Sequence, residues 1–282
     1  MKKFFLLLEL MRFDKPIGTL LLLWPTLSAL YLISGGYPSL KIVIIFTVGT
    51  FLMRSAGCVI NDFFDKEIDG SVARTKDRPL VTGSVSEKEA IYLFIFLLSL
   101  SGFLLFFLNK LSLYLALMGL GLTLLYPLTK RFFRIPQLFL GLAFSWGILL
   151  ASASVLNHLP LLTWLMFLAC FFWIIAYDTV YAMIDIEDDK KIGNNSSAIT
   201  FGDKDTKIVF ICYFLSILFW LLAGVVAKVT LVYYMSLILV TIICLNQREL
   251  IKERNPQKCF KAFQNNNWVG LSIFIGSFLG TI

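Results

Sequence analysis

The chain has 282 residues, 58% of them hydrophobic and only 15% charged, with a mean hydropathy of +0.81. Soluble domains carry about 25% charged residues, whereas apolar runs near the roughly 20 residues of a bilayer crossing recur along this whole sequence, which excludes an ordinary soluble domain. The net charge of +7 invites a nucleic-acid partner, but basic residues of membrane proteins collect in cytoplasmic loops, and their distribution here follows that rule.

In chain order, the N-terminal segment comes first. Lys2 and Lys3 precede a short apolar run, Phe4 to Leu8, which soon meets Glu9, Arg12, Asp14 and Lys15. The run is too short for a signal peptide and no small-residue cleavage site follows. Nine predicted spans come next: Ile17–Ser34, Leu40–Ile60, Ala90–Asn109, Leu111–Leu128, Pro136–Leu156, Leu161–Met183, Thr206–Ala227, Thr230–Leu245 and Trp268–Ile282. The expected fold is an all-α polytopic bundle in the lipid bilayer. It reads as one domain over residues 1–282, compatible with an internal duplication into halves near 1–135 and 136–282.

The loops alternate in character. Only Lys41, Lys110 and Lys228 lie on one side and Arg54 falls within the second span, which leaves 21 of the 25 basic residues on the other side. The positive-inside rule then places the N-terminus in the cytoplasm and the C-terminus outside. All 18 acidic residues share that cytoplasmic side or its span ends. The rule concerns Lys and Arg only, so the acidic bias calls for chemistry at that face. His158, the only histidine, lies on the opposite side in Leu156-Asn157-His158-Leu159-Pro160 and is read as a loop residue. Cys58, Cys170, Cys212 and Cys244 lie in apolar runs and Cys259 in a polar loop; no spacing suggests a metal site or a disulfide.

Two acidic stretches organise the chemistry. In Asn61-Asp62-Phe63-Phe64-Asp65-Lys66-Glu67-Ile68-Asp69, residues 61, 65 and 69 are spaced i, i+4, i+8 and share one helix face. Asp185-Ile186-Glu187-Asp188-Asp189 repeats the spacing. Solvated charge at helix ends accounts for Glu87 and Glu89, but poorly for Asn61 and Asp62, which continue an apolar helix. A calcium loop starting at Asp65 fails at its twelfth position, which is Lys76 where a bidentate Glu is needed. Crowded carboxylates beside a membrane call for a cation. Mg²⁺, which takes one or two carboxylates and completes its shell with water and substrate phosphates, suits two acidic pairs sharing a diphosphate. Asp65, Asp69, Asp185 and Asp189 are the candidate metal ligands.

Cations for a diphosphate lie on the same face: Arg74 and Arg78 after the first cluster, Lys130 and Arg131 after the fourth span, Lys190 and Lys191 after the second cluster. A lone loop lysine is more often a topology charge; for Lys130, Tyr126 four residues earlier strengthens the functional reading. Arg54 lies seven residues before Asn61, two turns deeper in the membrane, where a charge marks a functional site or a buried pair. A site of this kind opening toward lipid fits a polyprenyl diphosphate, with its headgroup on Mg²⁺ and its tail in the bilayer.

These residues resemble a known family. Asn61-Asp62-x-x-Asp65-x-x-x-Asp69 and Asp185-x-x-x-Asp189 look like the two signatures of the UbiA-type membrane prenyltransferases, and Tyr126-x-x-x-Lys130 resembles a further element. The likeness spans essentially the whole chain. Arg12-x-Asp14-Lys15-Pro16-Ile17-Gly18, Trp24-Pro25-Thr26, Arg74-Thr75-x-x-Arg78-Pro79-Leu80, Tyr177-Asp178-Thr179-x-Tyr181-Ala182-Met183 and Asp188-Asp189-x-Lys191-Ile192-Gly193 resemble the members that act on 4-hydroxybenzoate.

The resemblance implies a helical bundle around a central cavity, and polyprenyl transfer to the ring carbon ortho to the acceptor hydroxyl, in ubiquinone biosynthesis at a bacterial-type inner membrane. In that reading Asn61 and Asp62 complete or orient the metal shell, and Lys130, Arg74, Arg78 and Lys191 contact phosphate oxygens. Arg131, ahead of Arg54, is the candidate for the acceptor carboxylate, and Asp14, Asp178 or released diphosphate takes the ring proton. Competing readings are another acceptor (a naphthoate, haem or chlorin) and, from a different class, a transporter using the intramembrane charges.

Overall fold

Inside a bilayer only helices and closed barrels satisfy the backbone polar groups, and apolar runs of about 20 residues without two-residue alternation suit helices. The computed structural model describes residues 2–72 and 74–282. It contains α1 (Lys2–Leu10), α2 (Ile17–Ile33), α3 (Leu40–Phe64), α4 (Lys66–Asp69), α5 (Glu87–Leu105), α6 (Lys110–Thr129), α7 (Gln137–Leu156), α8 (Leu161–Ala182), α9 (Ile186–Ile192), α10 (Ser197–Phe201), α11 (Asp205–Ala227), α12 (Leu231–Ile251) and α13 (Pro256–Gly280), with no strand among the described residues. Among the described residues nine long helices overlap the nine predicted spans. Seven of them are long and apolar enough to cross a membrane, and α2 is a shorter apolar helix.

Local sequence sets several starts. Ser39 caps α3, accepting from Ile42 N–H, and Asn109 caps α6, accepting from Ser112 N–H. Ser86 and Glu89 form a capping box at α5, so Glu89 is a helix-end residue, as its position suggested. Asn255 caps α13 ahead of Pro256.

The helices close into a ring. α2 packs against α3, α7 and α13; α8 packs against α7 and α11; α12 packs between α11 and α13. The main core centres on α8, where Cys170, Trp173, Ile174 and Tyr177 are buried. A Cβ on Gly270 would stand 2.8 Å from Trp24 and 2.9 Å from Trp173, so the missing side chain lets α13 reach both α2 and α8. A second core joins Leu10 of α1, Leu52, Ala56 and Val59 of α3, Leu80 and Val85 of the following loop, and Ala90 and Leu97 of α5. It lies beneath the first acidic stretch and holds that stretch's surroundings in place.

Two boundaries differ from expectation. α13 begins at Pro256, twelve residues before the predicted span at Trp268, and α12 continues to Ile251. The extra turns carry Gln247 and Asn266, both fully buried. Tyr213 OH donates to Gln247 Oε1 at 2.7 Å and Trp173 Nε1–H to Asn266 Oδ1 at 2.9 Å. Buried amide oxygens engaged this way act as interhelical ties, which hydropathy cannot register; Gln247 Nε2 is buried without a partner. Cys259, expected in a polar loop, is buried within α13.

Candidate active site

The first acidic column survives a joint between two helices. α3 ends at Phe64 and Asp65 caps it, yet Asp65 N–H still donates to Asn61 O at 2.9 Å and Asp69 N–H to Asp65 O at 2.7 Å. The i, i+4, i+8 alignment is therefore kept across the break. Asp62, Asp65 and Asp69 are only 2%, 4% and 6% exposed, so each needs a partner. Arg12 donates to Asp62 Oδ2 at 2.6 Å and Arg78 to Asp62 Oδ1 at 2.9 Å. Arg78 also pairs with Asp69, and Lys130 Nζ reaches Asp65 Oδ2 at 2.6 Å. Burial raises the Asp69 pKa, and the Arg78 charge opposes that rise without cancelling it.

The second cluster follows α8 in the same manner. Asp185 is the N-cap residue of α9, and Asp189 N–H donates to Asp185 O at 2.8 Å. Arg74 grips Asp185 with Nε at 3.2 Å and Nη2 at 2.5 Å, the two-pronged geometry that suits guanidinium and carboxylate. The guanidinium also lies 4.9 Å from the Tyr181 ring centroid. Burial works to lower the Arg74 pKa, but Tyr181 and Asp185 outweigh it and raise it. Asp189 is pushed up to about 6, mainly by burial, with a hydrogen bond from Asn194 opposing.

Cations join the two clusters. Arg74, held by Asp185, also feels the charge of Asp69, and the charge of Lys130, held by Asp65, reaches Asp189. Among the described residues no three acidic, His or Cys side chains form a ready-made metal cluster; the carboxylates are clasped by Arg and Lys instead. One oxygen is left over: Asp65 Oδ1 is buried without a hydrogen-bond partner. An orphaned carboxylate oxygen within an all-oxygen donor set fits a hard divalent cation.

Deeper in the bundle, the same face of α3 lines a cavity of about 320 Å³ between α2, α3, α5, α6 and α7. Its α3 wall includes Phe46, Gly49, Thr50, Met53, Arg54 and Gly57. Gly57 precedes Asn61 by one turn, so the cavity ends one helical turn short of the acidic column. Gly57 to Phe46 spans about 16 Å of helix at 1.5 Å per residue.

Arg54 stands in the cavity wall. Its Nε is buried without a hydrogen bond, and its guanidinium lies 5.7 Å from the Phe144 ring centroid. Cys58, Tyr177, Tyr126 and Tyr181 surround it, and it makes no ion pair among the described residues. Tyr177 OH is likewise buried and unpaired. Asp178, hydrogen-bonded by Gln137, is within reach of the Lys130 and Arg54 charges, and Lys130 lies over the Tyr126 ring at 5.7 Å.

Asp62, Asp65, Asp69, Arg78 and Lys130 thus gather in one place and Arg74, Asp185 and Asp189 beside it, with Tyr126, Asp178 and Arg54 behind. Asn61 stands partly exposed in the α3 column. Two predicted residues stand apart. Arg131 is exposed and donates to Phe64 O at 2.9 Å, and Lys191 is exposed and paired with Asp188 at 3.4 Å. Asp14 is also exposed, near Lys15.

Three contributors were not singled out from sequence. Arg12 reaches Asp62 across 50 residues. Tyr177 was visible only as part of a motif. Asn195 donates from both its N–H and its Nδ2 to Lys130 O, pinning the end of α6. The run Gly193-Asn194-Asn195-Ser196 is turn and cap chemistry that could have flagged it.

The pattern of the UbiA prenyltransferase family matches residues 22–276. A 4-hydroxybenzoate octaprenyltransferase of Psychromonas ingrahamii is 50% identical over 272 residues, covering 96% of this chain and 95% of that protein. Among solved structures, the apo form of a UbiA homologue from Aeropyrum pernix K1 superposes with a TM-score of 0.79 at 23% identity, covering 92% of this chain and 96% of that one. A UbiA homologue from Archaeoglobus fulgidus, bound to GPP and Mg²⁺, superposes with a TM-score of 0.74 at 20% identity over 97% of this chain and 98% of the other. With two acidic clusters beyond the end of an apolar cavity among membrane helices, this chain is an integral membrane protein that belongs to the UbiA prenyltransferase family.

Proposed function

We propose that this protein transfers a polyprenyl group from polyprenyl diphosphate to the ring carbon ortho to the hydroxyl of 4-hydroxybenzoate, releasing diphosphate, in ubiquinone biosynthesis. One observation carries the reading: a single face of α3 runs from an acidic mouth at Asp65 into an apolar cavity whose wall holds the unpaired guanidinium of Arg54. An anionic headgroup fits the first, an isoprenoid tail the second and an aromatic carboxylate the third. The likeness to the Psychromonas ingrahamii enzyme supports that acceptor.

Asp65, Asp69, Asp185 and Asp189 would hold Mg²⁺. The bound ion supplies Lewis-acid neutralisation of the leaving diphosphate. Lys130, Arg74 and Arg78 are already at the mouth, clasping carboxylates, and are placed to turn to phosphate oxygens. Cations aimed where negative charge develops lower the barrier to breaking the allylic C–O bond. Asn61 and Asp62 orient this shell, Asp62 by fixing Arg78.

Arg54 is preferred over Arg131 for the acceptor carboxylate, because Arg131 is exposed and already holds a backbone carbonyl. A carboxylate on Arg54 sets the ring between the cavity and the mouth, beside Tyr126 and Tyr177. Asp178 is better placed than the exposed Asp14 to accept the ring proton on a carboxylate oxygen. We read residues 1–282 as one domain in the inner membrane, with the acidic mouth and the N-terminus cytoplasmic, in keeping with the basic loops.

The test is an acceptor panel. Membranes containing the protein, Mg²⁺ and a polyprenyl diphosphate are incubated with 4-hydroxybenzoate, 1,4-dihydroxy-2-naphthoate or haem. Prenylated 4-hydroxybenzoate is expected; product from another acceptor alone contradicts the reading.

A further inference from the structure

Gly18 lies in the first turn of α2, and glycine is a weaker helix former than alanine. It is not among the residues of positive φ, so backbone conformation does not call for it. Its surroundings do. A Cβ built on Gly18 would stand 2.7 Å from Arg54 Nη2, 3.0 Å from Nε and 3.3 Å from Cζ. All three nearest atoms belong to one guanidinium. The Phe144 ring lies 5.7 Å from Cζ, so Arg54 is confined between bare α2 backbone and an aromatic ring. The N-terminus of α2 brings its own partial positive charge near that guanidinium, and Arg54 forms no ion pair among the described residues, Asp178 being the carboxylate within reach of its charge. This concentrates the demand for an anion at one point of the cavity wall.

We infer that Gly18 is a positioning residue for the aromatic acceptor: its missing side chain sets where the Arg54 guanidinium lies, and so where the acceptor carboxylate is held. The inference rests on the reading of Arg54 as the carboxylate partner. A methyl group at residue 18 must push the guanidinium away by several tenths of an ångström or more. Charge-assisted hydrogen bonds are directional, so the acceptor loses alignment while the diphosphate end of the site, more than two helical turns away along α3, does not.

The experiment is steady-state kinetics on Gly18→Ala, Arg54→Met, Arg54→Lys and the Gly18→Ala/Arg54→Lys pair, varying 4-hydroxybenzoate and polyprenyl diphosphate separately. Gly18→Ala is expected to raise the KM for 4-hydroxybenzoate by about 10-fold or more, the scale of one charged hydrogen bond, with the KM for the diphosphate within about 2-fold. Lysine lacks the three crowded atoms, so on the Arg54→Lys background the alanine should add almost nothing. Such non-additivity marks direct contact, whereas a general weakening of α2 would add to both backgrounds. An unchanged acceptor KM in Gly18→Ala, or full additivity, overturns the inference.

Arg54→Met separates the two readings. If it raises the acceptor KM while Gly18→Ala does not, only the role of Gly18 fails. If it leaves the acceptor KM unchanged, the carboxylate assignment fails as well. Should Gly18→Ala not accumulate, the paired variant decides: accumulation on the Arg54→Lys background supports the contact, and failure there too contradicts it.

Discussion

The two acidic stretches share a spacing but not a setting. Asp62, Asp65 and Asp69 sit over a packed core, nearly excluded from solvent, and are held by Arg12, Arg78 and Lys130 from three separate segments. Asp185 and Asp189 are half-buried at the start of a seven-residue helix, held chiefly by Arg74 and Asn194. One half of the mouth is therefore built into the fold and the other is carried on a short, accessible segment. The built-in half pays in charge burial for its rigidity, and the accessible half leaves room for a diphosphate to enter.

The largest effects should come from the carboxylates, and they should split. Asp65→Ala and Asp185→Ala are each expected to cut turnover by about 10²–10³-fold, the scale of a lost transition-state charge contact. Only Asp65→Ala should also lower stability markedly, by about 3 kcal/mol, because it strands the Lys130 charge. Denaturation in detergent checks this; equal losses in both variants would erase the contrast. Arg12→Ala should cost about 2 kcal/mol of stability, the scale of one charged hydrogen bond. Its effect on turnover should be smaller than that of Asp65→Ala, since Asp62 keeps Arg78.

Proton linkage gives a further contrast. The Asp189 pKa rises from an ordinary 3.8 to about 6 in the folded chain, so the folded state holds that proton more tightly than the unfolded one. Its contribution to stability is present below about pH 4 and lost as the pH rises through about 6. Melting curves in EDTA across that window should show the loss, and Asp189→Asn should remove it. The smallest effects belong to Arg131→Ala and Lys191→Ala. Both side chains are exposed and neither pairs with a predicted metal ligand, and changes of less than about 2-fold are expected, as for surface pairs.

Much of this was legible in the chain. Apolar runs marked the long helices, and the i, i+4, i+8 column marked the first half of the mouth before any packing was known. The first turns of α13 were not legible, because hydropathy scores Asn266 as polar and cannot see Trp173 donating to it. The grip of Arg74 on Asp185 joins residues 111 apart, and only the ring closure of the helices brings them together. Arg54 was conspicuous by depth; that it makes no ion pair became visible only with its neighbours in place. Arg131 was slightly favoured over Arg54 from sequence, but past the end of α6 it stands exposed and donates to Phe64 O.

The claim at the centre is that both halves of the mouth act on one diphosphate. The direct measurement is calorimetric binding of a non-hydrolysable polyprenyl thiodiphosphate, with and without Mg²⁺, to the purified protein and to Asp65→Ala and Asp185→Ala. Tight binding by the unaltered chain only with Mg²⁺, and its loss in both variants, is the predicted result. Retention of Mg²⁺-dependent binding in Asp185→Ala would contradict a shared site.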